Sequence, residues 1–291
     1  MEWIQQLVNG ISLGSIYALI ALGYTMVYGI IKLINFAHGD VFMLGAFIGF
    51  YAIVRWEMHF ILALLLSMAL CAIIGVIIER VAYKRLRNAT RIAALITAIG
   101  VSLLIEYTVI FFRGASPEAY PTVIESRNIE IFGAQISVQA LLILAIAIIL
   151  MLLLQFIVHQ TKIGKAMRAV SHDADAARLM GINVDNTISA TFAIGSALAG
   201  AAGVIFGIYY TRIEPLMGVL PGLKAFVAAV LGGIGIIPGA MVGGLVLGVV
   251  ETFVSALGYS LWRDAAAFVI LILILIIRPS GIFGKNTREK V

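Results

Sequence analysis

Six consecutive residues between two apolar runs carry the side chains best suited to chemistry. They read Asn35-Phe36-Ala37-His38-Gly39-Asp40. An amide, an imidazole and a carboxylate at this spacing can bind an ammonium or carboxylate group, and they can equally hold the chain in a break between two helices. We leave both roles open, and we select as candidate binding residues Asn35, Phe36, His38, Gly39 and Asp40.

The rest of the chain lacks the sequence patterns of common catalytic sites. It contains no G-x-x-x-x-G-K-[ST] phosphate-binding loop, no H-E-x-x-H zinc motif and no G-x-S-x-G nucleophile motif. His38 with one nearby aspartate is too small a set of ligands for a metal site. We therefore predict a non-catalytic chain that binds no metal and no cofactor of its own.

The helices that position these residues must lie in lipid. Of the 291 residues, 62% are apolar and only 12% are charged, whereas soluble domains have about one half and about one quarter. The mean hydropathy of +1.07 agrees. In a membrane protein, a net charge of +5 reflects cytoplasmic loops and not nucleic-acid binding. The composition therefore indicates a helical protein that crosses the bilayer several times.

The apolar runs predict an all-α polytopic membrane protein with about eight membrane segments, organised as a single domain over 1–291. Five runs are long enough to span alone, and they cover 7–31, 60–78, 92–112, 138–158 and 188–210. The runs at 41–54 and 265–277 are shorter.

Glycines and Pro238 interrupt the apolar stretch 225–257, for which we predict a re-entrant hairpin with its tip at 235–239. Each half of the chain then holds a broken or re-entrant helix. Such paired interruptions are typical of a transport pathway.

Thirteen of the 20 basic residues lie in three segments, at 79–91, 159–187 and 278–291. The positive-inside rule predicts that all three face the cytoplasm. The tryptophans Trp3, Trp56 and Trp262 then fall near the outer interface, where indole rings are favoured.

The segment 159–187 is predicted to form two short cytoplasmic helices. Ser171 is a suitable N-cap for the second helix, and Gly181 is a suitable residue to follow its C-terminus. A compact amphipathic helix at this place can dock into a groove of another protein.

Here the chain resembles a known family. Its Asp175-Ala176-Ala177-Arg178-Leu179-Met180-Gly181 is similar to the EAA-x-x-x-G signature of ABC-importer permeases, with aspartate in place of glutamate. The chain is also similar along most of its length to the permeases of high-affinity branched-chain amino acid uptake. The stretches that carry this similarity are 9–19, 23–29, 34–40, 79–83, 164–169, 224–226, 229–235 and 278–281.

The resemblance implies a multi-pass permease in the bacterial inner membrane. It implies as partners two ABC ATPase subunits, a second related permease subunit and a periplasmic substrate-binding protein, with ATP and Mg²⁺ bound by the ATPases. The candidate binding residues at the helix break then become pathway residues. The residues implied in ATPase coupling are Gly164, Lys165, Ala166, Arg168, Asp175, Ala176, Ala177, Gly181 and Ile182.

Three alternatives stay open at this point. Permeases for urea and short-chain amides share much of the same pattern, and a secondary transporter or a channel would also be rich in apolar helices.

Glu106 and Glu251 lie inside apolar runs, where a carboxylate is costly. Either carboxylate could face the pathway, and Glu106, near the outer end of its run, could also simply reach water; we include neither among the pathway residues.

Overall fold

A computed structural model describes residues 2–87, 89–123, 128–131 and 134–284, which form eleven α-helices and four short strands. The helices are α1 (Glu2–Ile31), α2 (His38–Val54), α3 (Phe60–Ile78), α4 (Arg91–Arg113), α5 (Val138–Gln160), α6 (Lys162–His172), α7 (Ala174–Leu179), α8 (Val184–Tyr210), α9 (Val219–Gly232), α10 (Ile237–Ala256) and α11 (Arg263–Ile277). The strands form two antiparallel pairs, β1 (Glu118–Ala119) with β4 (Arg212–Ile213) and β2 (Asn128–Ile131) with β3 (Ala134–Ser137).

Seven helices in the described residues are long and apolar enough to cross a membrane, namely α1, α3, α4, α5, α8, α10 and α11. Two shorter apolar helices, α2 and α9, lie among them. The prediction of an all-α polytopic membrane protein is therefore confirmed. An apolar run in lipid forms a helix because the backbone must satisfy its own hydrogen bonds.

The predicted hairpin is an antiparallel pair with unequal arms. α9 has 14 residues and α10 has 20, and the chain turns between them at 233–236. Gly243 lies against the Ala228 backbone, and Gly244 lies against Ala18 of α1. These glycines allow α10 to pack closely against α9 and α1. α10 is long enough to cross the membrane alone, whereas α9 is not.

The two short helices both begin inside the bundle and run in opposite directions. α2 follows α1 after residues 32–37 and runs toward the end marked by Trp56. α9 follows α8 after residues 211–218 and ends near Ser280, beyond the last helix. Each half of the chain thus contains a long helix followed by a short one. The predicted interruptions at 35–40 and 235–239 correspond to the breaks at 32–37, before α2, and at 233–236, between α9 and α10.

The described basic segments lie together at one end of the bundle. Lys84 and Arg87 form ion pairs with Asp185 at the start of α8, and α6 packs on α1, α5 and α8. After Arg278, the Ile282 amide donates to the Leu231 carbonyl of α9. The tail residues Lys285, Arg288 and Lys290 lie outside the described residues. That this end faces the cytoplasm stays a prediction.

Candidate functional site

The first turns of α2 and α9 touch through glycines. A side chain at Gly39 would place its Cβ 2.5 Å from the Gly218 carbonyl oxygen and 3.3 Å from the Gly222 Cα. A Cβ at Gly218 would in turn contact the Gly39 carbonyl. Only glycine allows this approach. The positive ends of two helix dipoles therefore meet inside the bundle.

Asn35 and His38 are buried and bonded to the surrounding helices. The Tyr83 hydroxyl donates to the Asn35 Oδ1 at 2.9 Å. The His38 Nε2 lies 3.2 Å from the Ile20 carbonyl oxygen, so that Nε2 carries the proton, and the Tyr24 ring packs edge-on against the imidazole. These two predicted residues hold the break in shape.

Tyr83→Phe is expected to lower the free energy of unfolding by about 1–3 kcal/mol, because the buried Asn35 Oδ1 loses its donor. Thermal unfolding of the purified protein in detergent checks this. Tyr107→Phe, on the exposed side of α4, is the matched control and should leave the midpoint unchanged. Equal midpoints for Tyr83→Phe and the parent protein would show that the hydrogen bond contributes nothing.

A cavity of about 140 Å³ lies beside the glycine contact. Of the predicted residues, Phe36 and Asp40 line it. The other lining residues are Tyr24, Ile99, Ser102, Glu106, Gly218, Val219, Gly222 and Leu223. Asp40 is 2% exposed, and its Oδ2 atom has no hydrogen-bond partner.

Glu106 lines this cavity, so of the two alternatives left open for it, facing the interior and reaching water, the interior position is the one observed. Its side chain is 6% exposed, and it faces Asp40 across the cavity together with Ser102. Ser102 and Glu106 are four residues apart and share one face of α4. The cavity therefore holds two carboxylates beside the two helix N-termini.

Glu251 belongs to a different, ionic cluster. It is 0% exposed and accepts from the Tyr17 hydroxyl at 3.0 Å and from the Arg263 Nε at 2.9 Å. The Lys224 Nζ lies 2.9 Å from its other oxygen and 2.6 Å from Asp264. Because Lys224 is on α9 and the other charges are on α10 and α11, the cluster fixes the short helix to its neighbours.

The two predicted short helices at the basic end are present as α6 and α7. The N-cap of α7 is Asp173, whose side chain accepts from the amides of Asp175 and Ala176 at 2.9 Å. The prediction of Ser171 as the cap is wrong, since α6 continues through His172 and the Ser171 hydroxyl donates to the Arg168 carbonyl.

Gly181 ends α7 as predicted. Its φ is +83°, its amide donates to the Arg178 carbonyl, and the Ile182 amide donates to the Ala177 carbonyl. This pair of bonds is the Schellman motif, which requires a residue in the left-handed region.

The residues selected for coupling divide into a packed set and an exposed set. Gly164 and Ala177 are buried, Ala166 and Ile182 are partly buried, and the Arg168 guanidinium donates to the Val158 carbonyl at the end of α5. The exposed positions include Lys165, Asp175, Ala176 and Gly181.

Two large apolar side chains stand beside this exposed set. Leu179 is 88% exposed and Met180 is 83% exposed, directly before Gly181. The basic end of the molecule thus presents a surface that we call the α7 surface, formed by Asp175, Ala176, Leu179, Met180 and Gly181.

The segments on either side of the α7 surface contact other parts of the fold. Met167 and Arg168 of α6 line a cavity of about 90 Å³ together with Gly235 and Ile237 of the α9–α10 turn. Asp185, six residues after Leu179, pairs with Arg87 at 2.6 Å.

A second set of contacts leads from Arg87 back to the helix break. Arg87 also pairs with the fully buried Glu79, at the start of the π-helical turn Glu79–Tyr83. The last residue of that turn, Tyr83, is the one that bonds Asn35. Contacts therefore extend from α7 to the break.

Comparison with known proteins shows which family the chain matches. The chain matches the family described as branched-chain amino acid transport system / permease component over residues 6–277. It is 44% identical to the high-affinity branched-chain amino acid transport system permease protein BraD of Pseudomonas aeruginosa, over 100% of this chain and 98% of BraD.

The chain belongs to this family. It is also 42% identical to the permease protein LivH of Escherichia coli strain K12, over 100% of this chain and 98% of LivH. A more distant relative, 31% identical over 52% of the chain and 46% of the relative, is the inner membrane ABC transporter permease protein YjfF of the same organism. No solved structure gives a significant match. The resemblance noted from the sequence is confirmed, and the protein is a multi-pass membrane permease.

The sequence signals for this permease were incomplete at the cavity. Glu106 was visible as a carboxylate in an apolar run, and Ser102 was visible as its neighbour one turn away. Tyr24, Gly218 and Gly222 carried no such signal, because only the packing of α1 and α9 against α2 brings them to Asp40.

Proposed function

We propose that the chain is the membrane-spanning permease subunit of an ABC importer that carries branched-chain amino acids across the bacterial inner membrane. The observation that carries the proposal is the full-length similarity to BraD and LivH, both named as permeases of high-affinity branched-chain amino acid transport. The relative YjfF, named as an inner membrane ABC transporter permease, supports the class and the location.

The energy for uphill transport would come from other subunits. In this proposal two ATPases bind ATP and Mg²⁺, a second related permease completes the membrane part, and a periplasmic binding protein delivers the substrate. This chain itself has no catalytic role. The similarity to permease components of a transport system supports such an assembly.

The α7 surface is our proposed contact with an ATPase. Its apolar side chains are large and exposed at the end of the molecule where the described basic segments lie, and exposed apolar patches of this kind mark interaction sites. The segment resembling the EAA signature lies in the same place.

A short series of contacts connects this surface to the predicted pathway residues, and movement of the surface can be transmitted through it. α6 shares a cavity with the α9–α10 turn, and α9 begins at the Gly39–Gly218 contact beside Asp40. We propose that closure of the ATPases shifts α6 and α7, and that α9 then moves against α2. Alternating outward and inward openings would follow from this motion.

The alternative substrates are not favoured. The relatives with 42% and 44% identity are named for branched-chain amino acids, and none of these names refers to urea or amides. A secondary transporter or a channel would work without ATPases, which a transport assay decides.

We expect ATP-dependent uptake of labelled leucine by proteoliposomes that contain the assembled complex, with the loaded binding protein outside. Uptake should disappear without ATP or without the binding protein. Purification through a tag on this chain should retain two ATPases and a second permease. Leucine uptake by this chain alone, driven by a proton gradient or running downhill, would contradict the proposal.

A further inference from the structure

The cavity between α2, α4 and α9 holds two carboxyl groups, and no basic residue lines it. Asp40 is buried, its Oδ2 has no partner, and Glu106 and Ser102 face it. Two ionised carboxylates at membrane depth repel each other and have lost their hydration, so the pair either takes up a proton or is stabilised by a cation that enters the cavity.

The protein does not supply that cation from the described residues. Those that line the cavity include no lysine, arginine or histidine. The nearby His38 is held by the Ile20 carbonyl, and Lys224 is paired with Glu251 and Asp264. A cation that stabilises the ionised pair would therefore come from a molecule that enters the cavity.

The other residues that line the cavity indicate which further groups the bound molecule carries. The first turns of α2 and α9, with Gly218 and Val219 at the surface, give the cavity a positive end that suits a carboxylate. Phe36, Ile99 and Leu223 give it apolar surface for an aliphatic side chain. A cationic site, an anionic site and an apolar wall in one cavity match an aliphatic α-amino acid.

We propose that Asp40, Glu106 and Ser102 form the subsite that binds the α-ammonium group of the amino acid as it crosses the membrane. This inference rests on the proposed function and adds a residue-level site to it. The subsite selects for a positive charge. Urea and short-chain amides carry none, and they would leave both carboxylates unpaired in the cavity.

The test uses the complete complex in proteoliposomes with the leucine-loaded binding protein. Asp40→Asn and Glu106→Gln keep the side-chain size and remove the charge. Each is expected to reduce leucine uptake about tenfold or more, which is the cost of losing a hydrogen bond to a charged group. ATP hydrolysis stimulated by the loaded binding protein should fall by much less than uptake, because neither residue is part of the proposed ATPase contact.

Two further variants separate binding from architecture. Glu106→Asp keeps the charge and should recover most of the uptake. Glu57→Gln, in an exposed loop, is the matched control for a lost carboxylate and should behave as the parent. If Asp40→Asn fails to assemble, Glu106→Gln and Glu106→Asp decide the question.

Each remaining outcome has a defined meaning. Normal uptake by both neutral variants would overturn the ammonium subsite and leave the proposed function intact. Equal loss of uptake and of stimulated ATP hydrolysis, or equal loss in Glu106→Gln and Glu106→Asp, would also overturn it, since the carboxylates would then act only in the architecture. Failure of the parent complex to import leucine would overturn the proposed function itself.

Discussion

Replacing Leu179 and Met180 together by aspartate is expected to abolish ATP-driven uptake while the permease still inserts in the membrane. Both side chains are more than four-fifths exposed, at 88% and 83%, and they contact little of their own chain. Large apolar groups in such positions are typical anchors of an interface. Two carboxylates there would have to lose their hydration at the contact, which weakens it further.

The expected size of this effect is large. An anchor residue commonly contributes about 2 kcal/mol or more to an interface, which corresponds to about 30-fold in affinity. Loss of two anchors should therefore release the ATPases during purification through a tag on the permease. The measurements are the amount of ATPase retained and the initial rate of leucine uptake.

A matched control is available at the opposite end of the bundle. Leu257 and Leu261 are exposed apolar residues beyond the end of α10, with Leu261 97% exposed. Changing both to aspartate adds the same charge at a surface away from the α7 segment, and ATPase retention should be unaffected. If both double variants retain the ATPases equally well, the α7 surface is not the contact.

Most of the fold of this permease can be predicted from its sequence, because a chain in lipid must satisfy its own backbone hydrogen bonds and therefore forms helices along its apolar runs. The run 60–78 gave the bounds of α3 without error: His59 precedes it and the charged Glu79 follows it. The two interruptions were equally readable, since a polar insert and a glycine-proline stretch cannot continue an apolar helix without help from neighbouring groups.

The positions of the predicted pathway side chains were harder to predict, because they depend on how each helix is rotated about its axis. His38 and Asp40 are both polar and only two residues apart, which is about 200° around the helix. One therefore turns toward the Ile20 carbonyl and the other toward the cavity. Periodicity does not reveal which face meets which neighbour when all faces are buried.

Helix boundaries in the α6–α7 segment show a second limit. Ser171 and Asp173 are both good capping residues, and they lie two positions apart. α6 extends past Ser171, so only the aspartate has free amides within reach. The exposed Leu179 and Met180 could not be ranked from the sequence, because a short apolar pair can equally pack against the bundle.

Glu251→Leu is expected to have the largest effect on stability of any single change considered. It removes the carboxylate that pairs with both Lys224 and Arg263, and the Lys224 side chain is only 5% exposed. Breaking a buried ion pair by removing one partner costs about 3–5 kcal/mol, because the charge left behind stays buried. Lys224 then keeps only the half-exposed Asp264 as a partner. Unfolding of the purified protein by SDS titration in mixed micelles measures the loss.

The double variant Lys224→Met with Glu251→Leu is expected to be more stable than Glu251→Leu alone. It removes one charge of each sign from the interior, and Arg263 keeps its hydrogen bond to the Tyr210 hydroxyl. Replacing a buried pair by apolar groups is often nearly neutral, so the two effects should not add. Asp264→Asn, at a half-exposed carboxylate, is the control and should cost less than about 1 kcal/mol.

The double variant Lys224→Met with Glu251→Leu also tests whether the charges serve only to hold α9 in place or are needed for transport. If the cluster only fixes α9 to α10 and α11, apolar replacements that restore packing should restore leucine uptake along with stability. If uptake stays low in a stable double variant, the charges themselves are required in the transport cycle. An additive loss of stability would instead show that Lys224 and Glu251 act independently, against the 2.9 Å contact between them.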